Sequence, residues 1–74
     1  MPELPKLSGK EIIKILESMG FKLVRQKGSH VVLRKLNVGC VIPNHKEVAI
    51  GTLRSALKQA NIQPEEFLEK YKDR

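Results

Sequence analysis

The spacing of apolar residues changes twice along this chain, and that pattern constrains the fold more than any other property. Across "LSGKEIIKILESMG", Ile12, Ile15, Leu16 and Met19 recur at helical spacing, with Ile13 at the edge of the stripe. Ser8 is a suitable N-cap, and Glu11 three residues on completes a capping box. Leu7 and Ile12 stand at the two ends of a hydrophobic staple, and Gly20 suits a left-handed C′ position. From Phe21 the period becomes two. "FKLVRQ" and "HVVLRK" alternate as strands do, and "KGS" between them is a short hairpin turn in which Gly28 takes positive φ. "LNVG" is a second turn signal, and "CVIP" a short third strand that Pro43 closes. The helical period then returns. Leu53, Ala56, Leu57 and Ala60 stripe "GTLRSALKQAN" after the polar loop "NHKEVAI", with Asn61 as a left-handed cap. "QPEEFLEKYK" begins a last short helix, with Pro64 at N1, Glu65 and Glu66 at the positive end of its dipole, and Phe67, Leu68 and Tyr71 docking it.

The order is therefore α-β-β-β-α with a short helix appended, an α+β fold on a three-stranded antiparallel meander. Helices cover one face of such a sheet and water covers the other. Phe21, Leu23, Val31 and Leu33 are the expected core set, which leaves Lys22, His30 and Arg34 on the open face. A slip of one residue would reverse these faces. The whole chain, 1–74, reads as a single domain with a core over about 8–62 and the extra helix over about 64–72.

Charge narrows the choice of partner. The net charge is +6, and from Ser18 to Lys46 the basic residues Lys22, Arg25, Lys27, Arg34, Lys35 and Lys46 are met by no acid. The acids lie outside this stretch, at Glu3, Glu11, Glu17, Glu47 and in "PEEFLEKYKD". Cations concentrated on one module favour a polyanion, although a merely solvated surface is the commoner reason for such charge. No apolar run approaches the roughly 20 residues of a membrane span, and no signal peptide opens the chain, so a cytoplasmic location is expected. One cysteine, Cys40, excludes an internal disulfide and a multi-cysteine zinc module.

His30 is the first candidate for chemistry, since imidazole gives and takes protons near neutral pH. Metal-free RNA cleavage needs a base for the ribose 2′-OH, an acid for the leaving 5′-oxygen, and cations for the phosphorane. His30 fills one proton-transfer role, and Lys22, Arg25, Lys27, Arg34 and Lys35 are candidates for gripping RNA. Ser29 lies beside His30, but neighbouring strand residues point to opposite faces, which argues against a serine nucleophile. A turn cap or a phosphate hydrogen bond suits Ser29 better. His45, in "PNHKE", is an auxiliary proton-donor candidate, with a backbone-bonded loop side chain as the plainer reading. Cys40, His30 and His45 are irregularly spaced for zinc, so no metal and no cofactor are expected. Without more, a histidine at a strand start is usually just a surface side chain.

The combination "GSHVVLR" after "GFKLVRQK", then "IPNHKE", then "GTLRSALKQANI", resembles the HicA-like toxins, small mRNA interferases of toxin–antitoxin pairs. The similarity runs from about Ser8 to Ile62. It implies a fold similar to the double-stranded-RNA-binding domain and a metal-independent endoribonuclease acting on mRNA. It also implies an essential histidine in G-S-H, here His30, and a HicB-like antitoxin that covers the active surface. Ile50 stands where the family often has proline, and Asn61 where it usually has glycine, both at helix ends that tolerate the change. The alternatives are a non-catalytic RNA-binding module and an inactive, interaction-only relative. His30 separates the enzyme from the first, and the intact basic stretch argues against the second.

Overall fold

The computed structural model describes residues 3–73. Its elements run α1 (Gly9–Ser18), β1 (Lys22–Lys27), β2 (His30–Lys35), β3 (Val38–Pro43), α2 (Ile50–Gln59) and α3 (Pro64–Lys72). The strands form one antiparallel sheet in the order β1-β2-β3. This is the expected α-β-β-β-α arrangement with its extra C-terminal helix.

Helix α1 begins and ends as its local chemistry requires, whereas α2 starts at Ala49 without a side-chain cap. Ser8 Oγ accepts from the Glu11 backbone N–H at 3.1 Å, and Glu11 Oε1 accepts from the Ser8 backbone N–H at 3.1 Å. Gly20 takes φ 100°, so the Gly20 and Phe21 N–H groups can turn back onto the carbonyls of Glu17 and Leu16. Asn61, at φ 57°, ends α2 in the same way, with the Ile62 N–H bonded to the Leu57 carbonyl. Gln63 and Glu66 add a capping box to α3.

Ile12, Ile15, Leu16, Phe21, Val31, Leu33, Cys40, Ile42, Leu53, Leu57 and Phe67 are buried in one cluster between the helices and one sheet face. Leu4, Leu7 and Val48 extend it. The Val48 N–H donates to the Leu7 carbonyl at 2.8 Å, so the loop before α2 is clamped to the segment before α1.

Leu23 departs from the expected core set: it is 46% exposed. Its partner Leu33 faces the core, so Leu23 lies on the helix side but at the open edge of the sheet. Lys22 pairs with Arg34 and Leu23 with Leu33, but Arg25 pairs with Val32, leaving Val24 as an unpaired bulge residue. All six residues of this edge strand are exposed.

Candidate active site

Cross-strand partners share a sheet face, so the register assigns every strand residue a side. Val31 and Leu33 on β2 face the helices, and their β3 partners Ile42 and Cys40 are buried with them. His30, Val32 and Arg34 therefore face outward, opposite Pro43, Val41 and Gly39. On β1, Lys22 pairs with Arg34, Arg25 with Val32, and Lys27 with His30, so all three share that outer face. Strict alternation from Lys22 would have sent Arg25 and Lys27 to the helix side. The extra residue Val24 shifts the phase, and the bulge thereby gathers Lys22, Arg25, Lys27, Arg34 and His30 on one surface.

These side chains are exposed, and none of them forms a hydrogen bond or ion pair among the described residues. Four uncompensated cations on an open sheet face create a field that attracts anions. Between the two arginines lies a shallow depression of about 580 Å³, bordered by Val24, Val32 and Val41. Gly39 keeps it open: a Cβ there would lie 3.2 Å from the Leu33 carbonyl oxygen and 3.4 Å from Arg34 Cγ. Arg34 thus lies across β3 where any larger residue would crowd it.

Lys35 was grouped with these cations from sequence, but the structure separates it. It pairs with Val38 one residue out of phase with Arg34, and its Nζ donates to the Met19 carbonyl at 2.8 Å. A lysine there complements the negative end of α1, which has no basic residue in its own last turn. Ser29 is half-buried in the first turn, and its carbonyl accepts from the Asn44 N–H at 2.6 Å.

That bond brings the second histidine into view. His45 follows Asn44, and its carbonyl accepts from the Gly9 N–H at 2.8 Å while its side chain is exposed and makes no hydrogen bond among the described residues. The plainer reading of His45, a side chain tied to backbone, is not what the structure shows. Cys40 borders the depression, but its side chain belongs to the core. Buried on the helix side, its thiol is pushed up to about 11 by desolvation, which keeps it protonated and unreactive. Cys40 and His30 occupy opposite faces of the sheet, so these two and His45 do not converge on a metal, and the described residues contain no cluster of three or more such ligands.

Residues 9–62 of the 74-residue chain match the family described as the HicA toxin of bacterial toxin–antitoxin systems. The chain belongs to the HicA toxin family. The match starts with α1 and ends just after α2, so it contains the whole cationic face and both histidines, and excludes α3. A search of curated proteins found no match. Membership makes the chain the toxin member of a pair and implies an antitoxin partner. None of the helices among the described residues is long and apolar enough to cross a membrane.

Proposed function

We propose that this HicA-family chain is a metal-independent endoribonuclease of the cytoplasm that cleaves mRNA and is held in check by a HicB-like antitoxin. The observation that carries this reading is the bulged register of β1, which lines up Lys22, Arg25 and Lys27 with His30 and Arg34 on one solvent-facing surface. The cations bind phosphates and stabilise the charge that develops on a phosphorane, while His30 moves a proton at the ribose 2′-oxygen or the leaving 5′-oxygen. Ser29, beside His30, contributes a hydroxyl to the phosphate.

The face is built for the RNA backbone rather than for bases. The chain has three aromatic residues; Phe21 and Phe67 are buried in the core and Tyr71, on α3, packs against it, so none is available for stacking on the open face. Recognition then depends on phosphates and on the 2′-OH. A HicB-like partner that presents acidic groups to the same cations would exclude RNA by occupying its surface, with fast, salt-sensitive association.

The test is cleavage of an RNA oligonucleotide in excess EDTA. Cleavage should persist, leave a 2′,3′-cyclic or 3′-phosphate end, and stop at any position where the 2′-OH is replaced by hydrogen. Activity that vanishes on chelation and returns with a divalent metal would overturn the mechanism. Binding without cleavage under all conditions would leave an RNA-binding module.

A further inference from the structure

A histidine that removes the 2′-OH proton leaves the 5′-oxygen without a donor, so the reaction calls for a second proton-transfer group. We propose that His45 is that group, and that His30 and His45 act as a pair on either side of the scissile phosphorus. The proposal rests on the ribonuclease reading above.

The ladder geometry carries it. β2 and β3 pair His30 with Pro43, and the Asn44 N–H donates to the Ser29 carbonyl, so the antiparallel ladder continues one residue beyond the end of β3. In this pattern the backbone groups of alternate residues point toward β2 and away from it. Asn44 points toward β2. The His45 carbonyl points away, where the Gly9 N–H meets it. His45 therefore keeps the extended alternation, and its side chain takes the face of Pro43, which is also the face of His30. The two histidines are then diagonal neighbours across adjacent strands, and such diagonals span about 7 Å. Two imidazoles so placed reach different oxygens of one phosphate.

Gly9 holds the segment in this path. It is buried at the first residue of α1, and a Cβ there would strike the Pro43 carbonyl and lie 2.7 Å from Asn44 Cα. The α1 backbone thus abuts residues 43–45 with no side chain between them. Lys27 pairs with His30 on β1, Lys46 and Glu47 follow His45 in the loop, and Lys10 and Glu11 follow Gly9 in the first turn of α1, where Glu11 is engaged with Ser8.

In the step, one imidazole takes the 2′-OH proton as the 2′-oxygen bonds to phosphorus. The bond from phosphorus to the 5′-oxygen breaks, and the other imidazolium protonates that oxygen. The products are a 2′,3′-cyclic phosphate and a 5′-hydroxyl, with the two histidines left in exchanged protonation states that solvent resets.

The experiment compares the parent with His30→Ala, His45→Ala and His45→Gln on two substrates. One is an ordinary RNA oligonucleotide, and the other carries sulfur in place of the bridging 5′-oxygen, a leaving group that needs no proton. Each variant should lose about 10²- to 10⁴-fold on ordinary RNA, with unchanged RNA affinity and circular dichroism. One of His30→Ala and His45→Ala should regain most of its rate on the thiolate-leaving substrate while the other does not, and each should lose one limb of the bell-shaped pH–rate profile. His45 variants that cleave ordinary RNA within about threefold of the parent, while His30→Ala is inactive, would overturn this proposal alone. Full activity in His30→Ala as well would instead overturn the ribonuclease reading. If His45→Ala loses its fold while folded His45→Gln cleaves normally, His45 is structural and the proposal fails.

Discussion

The two hairpins share β2, yet they are built to different rules. The β2–β3 pairing is in unbroken register from His30–Pro43 to Lys35–Val38, and its inward residues Val31, Leu33, Cys40 and Ile42 are all buried. The β1–β2 pairing is interrupted at Val24, and every β1 residue is exposed. A regular ladder with one buried face specifies register strongly, whereas an exposed edge strand is free to carry a bulge. The second hairpin therefore anchors the fold, and the first displays cations. Lysine and arginine on β1 serve twice, because they also discourage another chain from pairing with the open sheet edge.

The sharpest way to break this division is on β2 itself, which belongs to both hairpins. His30→Ala should abolish cleavage, a loss of about 10²- to 10⁴-fold, while leaving the unfolding midpoint within measurement error. Leu33→Ala, three residues away on the inward face, should lower stability by about 2–5 kcal/mol, because Leu33 is fully buried and its truncation leaves a cavity. Denaturant titration and a cleavage assay on both variants make the comparison. A His30→Ala protein that is as destabilised as Leu33→Ala would show that the outward face is part of the folding core.

The same contrast decides how much could be read from sequence. α1 was legible to its ends because the Ser8–Glu11 box, the Leu7–Ile12 staple and Gly20 are local signals, each acting within a few residues. The inward face of β2 was legible because Val31 and Leu33 alternate with polar neighbours. The bulge was not. "KLVRQK" contains no glycine or proline to mark an extra residue, and its apolar Leu23 and Val24 are adjacent, so either phase fits the pattern. Only Lys22 among the β1 cations was accordingly assigned to the open face, whereas Leu23, assigned to the core, is exposed because β1 is the sheet edge. The Leu7–Val48 clamp and the Gly9–His45 contact join positions far apart in the chain, where no periodicity reports. Lys35 shows the same limit from the other side: charge placed it among its neighbours, and only the register sends it to Met19.

RNA binding sharpens the division among the cations. Each phosphate contact removed should flatten the log–log dependence of affinity on salt by roughly 0.7 to 0.9. Lys27→Ala and Arg34→Ala should each show that change, because both share the outer face with His30. Lys35→Ala should leave the slope alone and slightly loosen the end of α1, since its ammonium is bound to Met19. Equal slopes for Lys35→Ala and Lys27→Ala would show that RNA reads net charge and not this face.

The smallest effect lies at the two turns. Each is a two-residue connection whose first residue has positive φ: Gly28 at 59° in the first hairpin and Leu36 at 56° in the second. Glycine reaches that region without penalty, whereas a side chain there is crowded by its own carbonyl, at about 1–2 kcal/mol. Leu36 is 90% exposed, so almost no burial offsets that strain. Leu36→Gly should therefore stabilise the protein, by about 0.5 to 1 kcal/mol once the greater freedom of glycine in the unfolded chain is subtracted. Gly28→Leu should destabilise it, although open space surrounds the position, because the conformation rather than a clash sets the penalty. Unfolding free energies for the two variants test the pair. If Leu36→Gly were less stable than the parent, the leucine would be held by contacts that outweigh its backbone, and the second hairpin would be stabilised by its turn as well as by its core.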